Sequence, residues 1–163
     1  MEFNLKQFVS SRICLSCDGC CRFSEENSIW SPALTDKDIL ELSKTQPSSV
    51  KENKFRLQSY KGVFICPNFE SRKNNCKIYH ARPFDCQLYP FLLAKKDGKI
   101  FLGFDLKCPF LKDKHNSPEF KEFISYLLSF FKQKDIKDMI KNNPQLIADY
   151  KTDVVFLEEL DFL

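Results

Sequence analysis

Four of the chain's eight cysteines fall within eight residues, in the stretch "CLSCDGCC" from Cys14 to Cys21. The others, Cys66, Cys76, Cys86 and Cys108, are singletons spread over the middle of the 163-residue sequence. A fold must bring these thiols together or isolate them, and few arrangements do either with so dense a cluster. In Cys14-x-x-Cys17-x-x-Cys20 a tight turn lets successive thiolates converge on one centre while free backbone N–H groups point at the sulfurs. This is the spacing of ferredoxin-type iron–sulfur ligation, in which a more distant cysteine completes the set.

Redox setting decides how such a pattern is read. The N-terminal "MEFNLKQFVSSRIC" lacks the basic-then-apolar order of a secretory leader. No apolar run approaches the roughly 18–20 residues that span a bilayer. The expectation is a cytoplasmic protein with no membrane association, where disulfides are disfavoured and clustered cysteines read as metal ligands or redox groups. All eight, Cys14, Cys17, Cys20, Cys21, Cys66, Cys76, Cys86 and Cys108, are candidate metal ligands.

Neighbouring side chains usually point in different directions, so Cys20 and Cys21 are expected to face two adjacent metal positions or opposite sides of one cluster. Eight cysteines divide into two sets of four. Structural zinc sites usually take paired Cys-x-x-Cys knuckles, whereas here the distal cysteines stand alone. Cys66-Pro67 and Cys108-Pro109 match the Cys-Pro ending of ferredoxin runs. The spacing therefore favours an iron–sulfur cluster or iron, with zinc as the alternative, both being suited to soft thiolates. His80, near the cysteines in sequence, reads first as an exposed or core histidine and His115 as a loop residue. Asp18 and Asp85 flank cysteines and are candidates for turn and cap roles or for acceptors around a metal.

The rest of the chain is ordinary enough to build a core. It is 43% hydrophobic with seventeen Phe, and one domain over residues 1–163 accommodates it. Thr35 and Asp38 form a capping-box pattern ahead of "DKDILELSK", and a second helix is read in "VKENKFRLQSY". "GVFIC" reads as a strand, and "FLLAKKDGKIFLGF" carries Asp97-Gly98 at the centre of a hairpin. Between them, "CPNFESRKNNCKIYHARPFDCQLYP" is punctuated by Pro67, Pro83 and Pro90 and reads as loop with a helical turn, to be held by a crosslink at Cys76 and Cys86. Beyond Cys108, Ser117 caps and Pro118 opens a helix whose Phe120, Phe123, Ile124, Leu127, Leu128 and Phe131 share a broad face. That face is expected to pack on the core. The fold class is thus α+β: a small, irregular, metal-centred cysteine core over 14–109 with a short β-hairpin, and a helical C-terminal extension over 117–163.

The net charge is only +3, and no basic block predicts nucleic-acid binding. The charge is uneven, however. From Ser117 onward there are 6 Lys against 9 acidic residues, while the remainder has 19 basic and 13 acidic. The positive excess lies with the cysteines, where thiolates need it. No Gly-rich phosphate loop, Ser-His-Asp order or paired-carboxylate motif is present.

"CLSCDGCC", "CPNF", "CKIYHARPFDCQLYPF" and a later Cys-Pro together resemble the CxxCxxCC family of YkgJ-like cysteine-cluster proteins, a zinc- or iron-chelating domain. The resemblance runs from Cys14 to Pro109. It implies metal binding at Cys14, Cys17, Cys20, Cys21, Cys66, Cys76 and Cys86, with Cys108 as the later cysteine, and makes Ile78-Tyr79 and Arg82-Pro83 the family's "IY..RP" motif. Where many members have Arg after the Cys86 position, this chain has Gln87. Family members include proteins labelled iron–sulfur oxidoreductases, and a related cluster occurs in flagellin lysine N-methylases. Three classes follow: a metal-binding protein, an enzyme with a pocket near Tyr79, Arg82 and Tyr89, or, from the broad Phe/Leu face of the C-terminal helix alone, a module that docks on a protein partner through that helix; the Ser117 to Leu163 tail has no counterpart in the resemblance.

Overall fold

The computed structural model describes residues 5–17 and 19–163, so Asp18 lies outside the described residues. The chain is mixed α+β and forms two compact units, Met1–Leu88 and Tyr89–Leu163.

The first unit is built from short pieces. Helix α1 (Ser11–Ser16) leads through a 3-10 turn (Gly19–Cys21) into strand β1 (Arg22–Phe23). Helix α2 (Asp36–Thr45) begins where the sequence places it. Asp38 N–H donates to Thr35 Oγ1 at 3.1 Å and Thr35 N–H donates to Asp38 Oδ2 at 2.9 Å, which satisfies two otherwise unpaired donors. Strands β2 (Val50–Lys51) and β3 (Lys54–Phe55) then form a hairpin. The helix expected in "VKENKFRLQSY" is therefore absent. Glu52 adopts φ +55° at the turn, and Phe55 and Leu57 are buried while Arg56 and Gln58 are exposed, a period-two alternation that belongs to strands. Leu34 N–H donates to the Asn53 carbonyl at 2.8 Å, so the turn also anchors the segment before α2.

Strands β4 (Gln58–Tyr60) and β5 (Val63–Ile65) form a second hairpin, and β5 pairs on its other side with β1. The segment after β5 holds more regular structure than its prolines suggest. It contains a small hairpin of β6 (Phe69–Glu70) and β7 (Asn75–Cys76), a 3-10 turn (Tyr79–Ala81) and helix α3 (Phe84–Leu88). Phe23, Leu34, Leu42, Phe55, Leu57, Ile65 and Phe69 make the core, and Cys66 is one of its members. Cys21, Ile78 and Cys86 pack against that core.

The second unit centres on the expected hairpin, β8 (Phe91–Lys96) and β9 (Lys99–Asp105). Asp97 and Gly98 both take positive φ, +51° and +79°, the two-residue turn whose twist suits a hairpin. Phe91 lies opposite Phe104. Helix α4 (Pro109–Lys114) follows Cys108, and α5 (Pro118–Phe131) is capped by Ser117, whose Oγ accepts from Phe120 N–H at 3.1 Å. The Phe120 ring rests on Phe91 and Phe104 at 5.7 and 5.6 Å, and Phe123 stacks on Phe91 at 5.3 Å. With Phe120, Leu127, Phe130 and Phe131 buried, the apolar face of α5 belongs to this unit's own core.

After α6 (Lys134–Asn142) the tail returns two strands, which the helical reading of that extension omitted. Strand β10 (Ile147–Ala148) runs parallel to β8, and β11 (Val154–Glu159) runs antiparallel to β9, giving the sheet order β10-β8-β9-β11. Gly103 makes the last pairing possible: a Cβ there would stand 2.8 Å from the Val155 carbonyl oxygen. Among the described residues no helix is long and apolar enough to cross a membrane.

Candidate metal centre

Seven of the eight cysteines belong to the first unit, on segments that local hydrogen bonds tie together. Cys14 lies in α1, and Cys17 caps its C-terminus with its N–H on the Cys14 carbonyl at 3.2 Å. Cys20 and Cys21 occupy the 3-10 turn. That turn is fastened to the end of β5 because Cys66 N–H donates to the Cys21 carbonyl at 3.0 Å. "CPNF" makes a tight turn, with Phe69 N–H on the Cys66 carbonyl at 2.9 Å, and Phe69 pairs across the small hairpin with Cys76. Asn74 Nδ2 donates to the Ser16 carbonyl at 3.2 Å, joining this hairpin to α1. Cys86 lies on α3. All eight cysteines are free thiols.

Electrostatics shows which sulfurs are neighbours. A charge on Cys20 disfavours ionisation of Cys14, Cys66, Cys76 and Cys86, so Cys20 is the common neighbour of four other thiols. Burial pushes the Cys66 thiol up to about 12 and holds Cys86 well above the usual thiol range. Cys20 is also held well above it, first because its hydrogen-bonding contact with Cys21 favours the protonated form and then through burial. Burial raises Cys14 and Cys76 as well. At neutral pH these groups are thiols, and a metal must displace their protons to bind.

The Cys20 and Cys21 sulfurs lie 3.9 Å apart. The expected divergence of adjacent side chains is not what the 3-10 turn produces. Two thiolates bound at ~2.3 Å to one tetrahedral ion stand about 3.8 Å from each other, so this pair has the separation of two ligands on a single metal ion. Backbone donors support other sulfurs. Gly19 N–H reaches Cys17 Sγ at 3.5 Å. The backbone amides of Asn68 and Phe69 favour the thiolate of Cys66, and that of Ile78 the thiolate of Cys76, against the larger effect of burial. Among the described residues, no group of three or more His, Cys, Asp or Glu side chains is placed to hold a metal ion in this conformation.

Two of the buried polar groups without a hydrogen-bond partner follow distal cysteines in the sequence. The Asn68 side chain is 1% exposed, and neither end of its amide has a hydrogen-bond partner. The buried Tyr79 hydroxyl lies beside Cys14 and Arg82 without a well-formed hydrogen bond. A buried unpaired donor is costly, and a thiolate is a far stronger acceptor than a thiol. Both residues lie just past a distal cysteine, Asn68 after Cys66 and Tyr79 after Cys76.

The remaining candidates take other roles. Asp85 Oδ2 accepts from Ala33 N–H at 2.9 Å; burial raises its pKa to about 6, and its charge disfavours the Cys86 thiolate. Asp85 therefore pins the loop before α2. His80 is exposed with its ring edge-on to Tyr79. His115 ends α4, its Nδ1 on the Leu111 and Lys112 carbonyls. Tyr89 belongs to the second unit, where its hydroxyl donates to Asp105 Oδ2 at 3.0 Å. Cys108, also in the second unit, is buried at the N-cap of α4. The sequence reading missed Gln7 and Asn68. Gln7 Oε1 accepts from Arg82 Nη2 at 3.0 Å across 75 residues, a pairing with no local signal. Asn68 is visible only as the third residue of "CPNF".

Comparison with known proteins supplies the family. An uncharacterized protein of Methanocaldococcus jannaschii, MJ0661, is 24% identical over 102 residues, which is 57% of this chain and 52% of that protein. The chain thus spans about half the length of this relative. No solved structure matches. The model of the CxxCxxCC family, described as a "putative zinc- or iron-chelating domain", matches residues 13–109, the stretch that carries every cysteine discussed above. The chain belongs to the CxxCxxCC family.

Proposed function

We propose that this protein holds a thiolate-bound metal centre, an iron–sulfur cluster or iron, on the cysteines of its first unit. The observation that carries the reading is the neighbourhood of Cys20: four other thiols within electrostatic reach, and a fifth, Cys21, in sulfur contact at 3.9 Å. Chelation by the family agrees with it. The Cys20–Cys21 separation favours a centre in which one metal ion takes two thiolates, which a two-iron cluster and a single ion both do and a cubane with one cysteine per iron does not. A thiol-rich centre of this kind works in a reducing compartment such as the cytoplasm.

Zinc is the second reading, favoured by the same separation, and makes the protein a structural or interaction module. An iron–sulfur oxidoreductase or a lysine N-methylase-like enzyme is the reading that follows if the centre proves redox-active.

The deciding experiment is elemental analysis and visible absorption of the full chain purified without oxygen. Iron with sulfide and a visible chromophore supports the first reading. Colourless protein with stoichiometric zinc supports the second. A reduced, folded chain that takes up neither metal at micromolar concentration overturns both.

A further inference from the structure

We propose that the cleft between the loop over residues 26–31 and the β2–β3 hairpin is a second binding site, for a small monocarboxylate, with Lys51, Lys54 and Arg56 as the cations that hold its carboxylate group. The cleft lies within the first unit, is lined by none of the cysteines and is independent of the metal-binding reading.

The three cations share one face of the hairpin. Lys51 and Lys54 are paired directly across it, so their side chains project from the same side. Arg56 follows Lys54 at the two-residue spacing of a strand, while the alternate residues Phe55 and Leu57 are buried. Like charges directly opposite one another destabilise a hairpin. No side chain discharges them: among the described residues no carboxylate forms an ion pair with Lys51, Lys54 or Arg56. An anion seated between the cations turns repulsion into attraction.

That face lines a cavity of about 350 Å³, near the lower end of the ~300–1,000 Å³ of small-molecule sites. The loop is tied to the hairpin at two places. Lys54 Nζ donates to the Ser28 and Ile29 carbonyls, each at 3.1 Å, and Lys51 Nζ donates to Asn27 Oδ1 at 3.5 Å. An ammonium has three donors, so Lys54 keeps one for a ligand. Burial lowers the Lys54 pKa, and the field of Asp85 raises it by less, so this half-buried cation gains from a nearby anion. Ser31 lines the same cleft at 3% exposure, and its hydroxyl has no hydrogen-bond partner. A buried donor without an acceptor is costly, and a ligand oxygen beside it is such an acceptor.

Charge selects the class of ligand. Glu26 and Glu52 also line the cleft, so three cations against two carboxylates leave a net +1. One carboxylate group neutralises that, whereas a phosphate monoester or a dicarboxylate overshoots it. The Asp85 charge, felt at Lys54 from outside the lining, adds to the bias against a dianion. The planar guanidinium of Arg56 matches a carboxylate, and Phe55 and Leu57 offer apolar lining to a short carbon chain.

The test titrates the full chain with lactate and with butanoate at constant ionic strength. Binding is read by calorimetry and by the fluorescence of Trp30, the chain's single tryptophan, whose backbone N–H donates to Ser28 Oγ at 3.2 Å in the cleft loop. Lactamide, the neutral counterpart of lactate, and inorganic phosphate are the comparators. At least one carboxylate is expected to bind in the millimolar range suited to so small a ligand, with no binding of lactamide and weaker binding of phosphate. Lys51→Gln and Arg56→Gln replace exposed side chains and are each expected to bind about three- to tenfold more weakly. Lys37→Gln, an exposed cation on α2, is expected to leave the affinity unchanged. Lys51→Gln also ends the cross-strand repulsion, so without ligand its thermal midpoint is expected to rise by about 1–3 °C. Weaker binding with higher stability is a pair of signs that a merely structural lysine does not give.

Four results each overturn the proposal: no binding of either carboxylate, equal binding of lactate and lactamide, phosphate binding more tightly than both carboxylates, or wild-type affinity in both Lys51→Gln and Arg56→Gln.

Discussion

Stripped of metal and kept reduced, the protein is expected to lose stability in alkaline solution through Cys66. Its thiol ionises near 9 in an unfolded chain and near 12 in the folded one, because burial in the first unit's core penalises the thiolate. Between those values the unfolded state releases the proton and the native state keeps it. The contribution of Cys66 is therefore fully present below about pH 9 and is lost as pH rises toward 12. The whole gap is worth about 4 kcal/mol, at ~1.4 kcal/mol per pH unit. Between pH 9 and 10.5 it amounts to roughly 1.5 kcal/mol, which moves a urea midpoint by about 0.5–1.5 M for ordinary slopes. Lysines and tyrosines also titrate there, so the quantity to measure is the difference in pH slope between wild type and Cys66→Ala. The fixed cost of the lost side chain drops out of that difference. Equal slopes in the two proteins would refute the claim that Cys66 is buried as a thiol. The same proton must leave when a metal binds, so metal affinity is expected to climb with pH across this range.

Three further outcomes follow from particular contacts. Gly103→Ala places a methyl group 2.8 Å from the Val155 carbonyl and is expected to cost about 1–3 kcal/mol, read as a lower thermal midpoint with the first unit's metal content unchanged. Thr35→Ala removes the hydroxyl that accepts from Asp38 N–H and leaves the reciprocal bond from the backbone N–H of residue 35 to Asp38 Oδ2; it is expected to cost about 1 kcal/mol by urea denaturation, and an unchanged midpoint would show that the side-chain half of the cap is redundant. Cys86→Ser is expected to demetallate or unfold the chain, and full metal content with native circular dichroism would remove Cys86 from the centre.

Local chemistry was the part of the fold that could be read from the sequence. Thr35 with Asp38, Asp97 with Gly98, and Ser117 with Pro118 each act over a few residues, through a cap, a left-handed turn or a fixed φ, and each forms where it is written. The family resemblance rested on cysteine spacing and neighbouring residues, and the family match spans the same stretch. The error in "VKENKFRLQSY" arose in the same register: Phe55 and Leu57 alternate with exposed Arg56 and Gln58, a strand period that the helix reading passed over.

Sequence by itself therefore determined the thiol inventory, its spacing and the local starts and stops of the longer elements, because those depend on covalent neighbours and hydrogen bonds a few residues long. Tertiary structure decided which sulfurs meet, that Cys66 joins an apolar core, that the tail returns as β10 and β11 beside β8 and β9, and that Gln7 and Gln87 clamp Arg82. These contacts are selected by burial and charge across many tens of residues, where the gain comes from the assembled environment and leaves no periodic trace along the chain.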